Sequence, residues 1–302
     1  MDLTVGPIAF FWSADMVREF YRRLADAPVA RVVIGEWVCS KRLPFWQDAI
    51  PDAILALQEA GKEVALSTLA LVTLQRERRQ TADLLDLGLP VEVNDLSALP
   101  HIPEGTPFQV GPMVNVYNEG TLQWLARRGA TRICLPPELP LASVAALAGA
   151  AAAAGVAIEV WGHGRAPLAI SGRCYHARLH GHAKDNCQFV CGDDPDGRDV
   201  DTLEGQRFLT VNGVQTLGRT VTTAARQIDA LRAAGVRSVR LPPHIGDFTG
   251  VAAAWNAALT TPEAGGLLPE LERLLPNAIF SDGFLAGHAG IELGGTAAAA
   301  AR

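Results

Sequence analysis

The sequence predicts an α/β protein, a (β/α)8 TIM-barrel-like fold with an inserted cysteine-rich loop and a β-hairpin after the seventh strand. Three observations predict it. Short β-branched or aliphatic runs alternate with longer amphipathic segments along the chain, the pattern of βα units around a parallel sheet. The strands counted this way come to about eight, the number that closes such a barrel. A length of 302 residues is ordinary for one.

Residues 6–11 read as the first strand, and Ser13 as the N-cap of a helix reaching residue 26. The second strand, 31–34, delivers Gly35, Glu36 and Cys39, and Pro44 opens a helix that stops at Gly61. Strand three, 62–66, ends at Ser67 and Thr68. A helix over 73–87 leads through Gly88 to strand four, 91–93, which presents Asn94 and Asp95. A short proline-rich connection reaches strand five, 108–110. Then come GPMVNVYNEGT, a helix over 118–128 and strand six, 132–135. The alanine-rich helix 143–154 feeds strand seven, 157–161, followed by GHGR and the cysteine segment.

Residues 207–217 contain VNGV, an Asn-Gly hairpin signal that interrupts the alternation and marks an insertion over about 162–217. A helix over 221–234 and strand eight, 236–241, resume it. LARRGATRICLPP (125–137) and LRAAGVRSVRLPP (231–243) share the order helix end, glycine, strand, Leu-Pro-Pro, as two βα units of one sheet would. Residues 1–289 are therefore expected to form one barrel domain. Residues 290–302 are expected to be a low-complexity tail.

Hydrophobic residues make up 49% of the chain, enough for a large core. The most apolar stretch, LASVAALAGAAAAAGVAIEV, is alanine-rich and broken by glycines, so no transmembrane segment is expected. A net charge of −6 without an extended basic run argues against nucleic acid as a partner. The start MDLTVGPIAF has neither a basic n-region nor a long apolar h-region. A cytoplasmic location is expected, and with it reduced thiols rather than disulfides.

Three of the five cysteines fall in RAPLAISGRCYHARLHGHAKDNCQFVCGDDPDGR, residues 165–198, where Cys174, Cys187 and Cys191 follow C-x12-C-x3-C. The segment lacks an apolar period and reads as a long loop that needs a pin. Four thiolates are what an iron–sulfur cluster or a structural zinc requires, and the fourth candidate is Cys39 in GEWVCSKR. His176, His180 and His182 lie between the cysteines and could replace a thiolate in a zinc site. Cys134, in TRICLPP, reads instead as a buried strand residue.

In a barrel of parallel strands, ligands bind at the carboxyl ends of the strands. The polar residues placed there are Glu36, Ser67, Asn94, Asn115, Tyr117, Glu138, His163, Arg165, Arg173, Asn212 and His244. Glu36, Glu138 and His163 are the candidate general acids and bases. Ser67, Asn115, Tyr117, Arg165, Arg173 and His244 are candidate substrate contacts, the arginines suiting a carboxylate. Neither GxGxxG nor GxxxxGK[ST] occurs, so nucleotide cofactors are not indicated.

The runs GPIAFFW, IGEWVCSKR, LSTLALV, GP…N.YN, CLPPELP, WGHGRAPLAISGRCYHAR…DNC…C and VNGVQT resemble, in order and over nearly the whole chain, the UbiV family of ubiquinone-biosynthesis proteins within peptidase family U32. The resemblance implies a [4Fe–4S] cluster on Cys39, Cys174, Cys187 and Cys191, with Cys134 outside it. It implies oxygen-independent hydroxylation of the aromatic ring of ubiquinone precursors, as a heterodimer with a UbiU-like U32 protein and with a UbiT-like lipid-binding protein. In related U32 systems the hydroxyl donor is a prephenate-type dicarboxylate, which Arg165 and Arg173 would suit. Two alternatives stay open: a non-catalytic iron–sulfur or zinc scaffold that stabilises its paralogue, and a U32-type peptidase. No Ser-His-Asp or Cys-His signature supports the peptidase.

Overall fold

The computed structural model describes residues 1–261 and 266–294. The expected tail lies, from residue 295 on, outside the described residues. The first seven strands are β1 (Asp2–Val5), β2 (Arg31–Ile34), β3 (Glu63–Ser67), β4 (Val91–Val93), β5 (Phe108–Val110), β6 (Ala130–Cys134) and β7 (Ala157–Trp161). After the insertion β12 (Ser238–Leu241) pairs with both β1 and β7. Eight parallel strands thus close in the order β1, β12, β7, β6, β5, β4, β3, β2, a (β/α)8 barrel as expected.

The outer helices are α1 (Ala14–Ala25), α2 (Ile50–Glu59), α3 (Gln75–Leu85), α4 (Glu119–Arg127) and α5 (Leu141–Ala153), then α7 (Ile228–Ala233) and α8 (Phe248–Thr260). Between β4 and β5 a 3-10 stretch, Leu96–His101, takes the place of a helix. Ser13 caps α1 by accepting from the Met16 amide, as its position predicts.

The insertion is a small sheet. β8 (His163–Ile170), β9 (Arg198–Asp201), β10 (Arg207–Asn212) and β11 (Gln215–Thr223) run antiparallel, and β13 (Phe280–Ser281) joins β11 in parallel. The Asn-Gly turn joins β10 to β11, with Gly213 at φ +67°, the left-handed geometry a tight hairpin needs. A short helix, α6 (Tyr175–Leu179), interrupts the cysteine segment, and α9 (Leu267–Leu274) and α10 (Gly283–Ala286) close the chain.

Several expected boundaries move. The first strand is Asp2–Val5, not residues 6–11. Ile8 to Trp12 are buried without being a barrel strand, because this apolar run packs over the barrel mouth, and Pro7 has no amide to give a ladder. Pro44 starts a 3-10 turn, Leu43–Phe45, and the helix proper begins only at Ile50. Residues 163–170 are strand rather than loop. Their pairing with β11 shifts register twice, which hides the two-residue alternation.

Barrel interiors are usually filled with branched aliphatic side chains. Here Arg31, Glu92, Glu159 and Arg240 lie inside, each at most 2% exposed. Arg240 donates from Nε to Glu159 at 2.5 Å and from Nη1 to Glu92 at 2.9 Å, while Arg31 Nη1 lies 3.5 Å from Glu159. Two cations and two anions balance, which is what makes their burial tolerable.

Candidate metal centre and adjoining pocket

The turn after β2 is built to present Cys39. Gly35 sits at φ +138°, and a Cβ there would press on the backbone of Ser67, so only glycine lets β2 leave the barrel beside β3. Glu36 then folds its buried carboxylate back on the turn, accepting from the amides of Val38 (2.8 Å) and Cys39 (3.0 Å). Burial pushes the Glu36 carboxyl up, against the pull of Arg42 and those two amides.

The other three cysteines come from the insertion. Cys174 is the N-cap of α6, its sulfur accepting from the Ala177 amide at 3.4 Å. Between Cys187 and Cys191 the chain turns through two consecutive left-handed residues, Gln188 (φ +50°) and Phe189 (φ +57°). Such a pair is uncommon outside glycine and marks a turn held by its surroundings. Cys39, Cys174, Cys187 and Cys191 all line one small cavity, with Lys41, Arg42 and Lys184. None of the four is in a disulfide. Cys134 is away from it, buried in the barrel wall, and burial raises its thiol well above the usual range.

Arg42 is the fully buried cation of this cavity. It is 1% exposed, donates to the Ala9 carbonyl (3.2 Å) and to Asn212 Oδ1 (2.7 Å), and lies over the Phe11 ring. Burial raises the thiols of Cys39 and Cys191, and Arg42 is the foremost opposing influence on both. Lys41 Nζ approaches Cys187 Sγ at 3.9 Å and is anchored on the Lys184 carbonyl at 2.7 Å. Asn212 uses its amide nitrogen on the carbonyls of Cys191 (3.1 Å) and Asp194 (2.8 Å).

Beside this centre a cavity of about 400 Å³ opens at the carboxyl ends of β7 and β12. Its walls include Phe10, Trp37, Trp161 and Pro242, and its polar groups His163, Arg165, Asp196, Arg219 and His244. Among the described residues no hydroxyl or thiol side chain lines it. His163 is fully buried with both ring nitrogens unpartnered, and burial holds its pKa well below the usual histidine range. Its ring centroid is 5.7 Å from that of His244. Arg165 pairs with Asp196 at 3.2 Å and Arg219 with Asp199 at 2.8 Å.

The structure therefore brings His163, Arg165 and His244 together in one cavity and the four cysteines in another. Trp37, two residues before Cys39, lines the first cavity, and Ala9 on its wall accepts from Arg42 of the second. The remaining candidates lie elsewhere. Glu36 braces the Cys39 turn, and Ser67 accepts from Asn94 at 3.0 Å, both bordering a separate groove between α2 and α3. Tyr117 and Glu138 hydrogen-bond to each other at the rim, while Asn115 and Arg173 are exposed. Arg42, Asp196 and Arg219 were not singled out from the sequence. A basic residue three places after a ligand-type cysteine was the available signal for Arg42; Arg219 gave none.

The family model for peptidase family U32 matches residues 12–293. Solved structures are similar at lower levels. A Rubisco-like protein from Rhodopseudomonas palustris is 19% identical with a TM-score of 0.41, over 53% of this chain and 53% of that one. An uncharacterized B. cereus protein is 11% identical with a TM-score of 0.42, over 80% of this chain and 60% of that one. A truncated 3-deoxy-D-arabino-heptulosonate 7-phosphate synthase from Thermotoga maritima is 10% identical with a TM-score of 0.41, over 93% and 89%. The chain thus spans just over half the length of the first of these and three-fifths of the second.

Proposed function

The chain belongs to peptidase family U32, and from that premise we propose that it is the iron–sulfur subunit of an oxygen-independent hydroxylase of the UbiV type, acting on the aromatic ring of ubiquinone precursors with a UbiU-like partner and a UbiT-like lipid-binding protein. One observation carries the reading: four free thiols, one from residue 39 and three from residues 174–191, line a single cavity. Their spacing favours a cluster over one zinc. A tetrahedral ion with Zn–S bonds of about 2.3 Å draws its sulfurs to roughly 3.8 Å of one another. Among the described residues, no three cysteine sulfurs come within 4.8 Å of one another.

Cys39, Cys174, Cys187 and Cys191 would hold the cluster, and Arg42, Lys41 and Lys184 would offset its thiolate charge. A cluster there would supply one-electron transfer next to the 400 Å³ cavity. That cavity's own residues do the binding. Its aromatic and proline walls suit a ring, and Arg165 and Arg219 suit the carboxylates of a prephenate-type hydroxyl donor, which would share or displace Asp196 and Asp199. His163, neutral and unpartnered, can donate one proton or accept one at a buried ring position. A covalent peptidase would need a nucleophile in that cavity, where no described hydroxyl or thiol side chain stands.

Protein purified without oxygen should be brown and carry about four irons and four sulfides per chain. Reconstituted with its partner, it should convert a deoxy-quinone precursor to the hydroxylated product. A colourless protein with a single zinc overturns the cluster. If His163→Ala retains full turnover while the cysteine variants only lose partner binding, the chain is instead a scaffold for its paralogue.

A further inference from the structure

Beside the thiol cavity, the cysteine segment gathers a second group of ligand atoms. His176 lies in α6 and His180 caps its end four residues later, so their rings stack 3° from parallel with centroids 5.5 Å apart. Asp194, three residues past Cys191, faces them. One ring nitrogen of each histidine and a carboxylate oxygen of Asp194 all lie within 4.8 Å of one another. His176 is fully buried, and His176 Nε2, His180 Nε2 and Asp194 Oδ2 are all shut off from solvent without a hydrogen-bond partner.

The far side of His176 decides which nitrogen faces this site. Nδ1 lies 3.3 Å from the Val211 carbonyl oxygen, which can only accept, so Nδ1 carries a proton. In the neutral ring Nε2 then turns a lone pair toward Asp194 Oδ2, 3.0 Å away. Two lone pairs so close repel unless positive charge lies between them. A second proton on His176 is poorly placed to do it, because the contact lacks hydrogen-bond alignment. It would also leave the buried Nε2 of His180 with nothing to bind. A metal ion serves all three atoms at once. With bonds of about 2.1 Å, two ligand atoms of one ion lie roughly 3.0 Å apart at a right angle and roughly 3.4 Å apart at the tetrahedral angle. An imidazole ligand that gives its other N–H to a backbone carbonyl is the usual second shell of such an ion.

We propose that His176, His180 and Asp194 form a binding site for a divalent first-row transition-metal ion, distinct from the four-thiol centre. Two imidazoles and one carboxylate suit Zn²⁺ or Fe²⁺. The ion ties the start of α6, next to Cys174, to the turn that follows Cys191, a turn Asn212 already holds by its backbone. It therefore fastens together the two ends of the segment that supplies three of the four thiols.

The test uses the full chain with its thiol centre assembled anaerobically, washed with a mild chelator and titrated with ZnCl₂. Iron, sulfide and zinc are counted in the same samples. The site predicts one zinc beyond the thiol centre, bound more weakly by about 100-fold or more in His180→Ala and in the isosteric Asp194→Asn, since losing a ligand costs at least as much as losing an outer-shell partner, and unchanged in His182→Ala. No additional zinc in the unaltered protein, or equal uptake in His180→Ala and Asp194→Asn, overturns it. The thiol-centre reading fails separately: if the cysteines hold zinc, the unaltered protein carries two zincs without iron, and His180→Ala carries one.

Discussion

Arg42 Nη2 donates to Asn212 Oδ1 at 2.7 Å, joining residues 170 positions apart and closing the thiol cavity between them. Arg42 comes from the turn that presents Cys39, and Asn212 from the hairpin that underlies the cysteine segment. Neither partner touches solvent appreciably. Replacing the cation by an apolar chain of similar length leaves Asn212 Oδ1 without its donor, while the Ala9 carbonyl keeps only the bond from Gln215 Nε2 at 2.6 Å. Arg42→Met is therefore expected to cost about 3 kcal/mol in urea denaturation. It should also lower the iron retained after anaerobic reconstitution. Arg42→Lys should recover little of either, because an ammonium cannot span the two acceptors as the guanidinium fork does.

The two kinds of cysteine separate cleanly. Cys39→Ser should abolish iron binding, since only three thiols would remain around the cavity. Cys134→Ala should keep the full iron content and lose only about 1 kcal/mol of packing. Iron and sulfide analysis of the two variants, prepared side by side without oxygen, checks both.

Among the described residues, His163 is the one polar group lining the 400 Å³ cavity that is fully buried and whose side chain makes no hydrogen bond. His163→Phe preserves bulk and should leave the iron content untouched while slowing turnover by roughly 100-fold or more. Because burial, and next the neighbouring His244, hold its pKa well below the ordinary histidine value, the neutral ring persists as pH falls through 6.5. Turnover should show no inflection there.

The barrel and the cysteine set could be read from the sequence, and the reason is local. Strands such as 91–93, 108–110 and 157–161 are short runs of apolar residues around a single polar one, flanked by turn residues, and their bounds match. The polar spacing around Cys174, Cys187 and Cys191 pointed away from simple packing. What could not be read were partnerships across the chain. Residues 6–11 imitate a strand because a loop folded over the barrel mouth is as apolar as one. Arg219 lies on a returning hairpin strand whose register shifts against β8, so nothing local shows that it reaches the same cavity as Arg165. The interior charges are equally hard to read, because nearly every barrel strand carries one or more polar or charged residues, Arg31, Glu63, Glu92, Gln109, Arg132, Glu159 and Arg240 among them, and nothing local says which of them face inward.

That charged interior sets how the protein responds to acid. Burial by itself would raise the Glu159 carboxyl, but Arg240 and Arg31 outweigh it and hold the group at about 2. An unfolded glutamate titrates near 4.3. The folded value is depressed, so the stability it contributes is complete above about pH 4.3 and is lost as pH falls toward 2. Two pKa units correspond to about 3 kcal/mol. Glu159→Gln cannot ionise, so its unfolding free energy should be lower by about 3–5 kcal/mol at pH 7, with Arg240 and Arg31 left undercompensated in the barrel. The deficit should shrink by about 1.5 kcal/mol between pH 5 and 3, roughly half of the linkage contribution, and by the rest only as pH falls to 2 and below. Urea denaturation of the two proteins across this range decides the matter: parallel curves would mean that Glu159 is not the group whose protonation loosens the barrel.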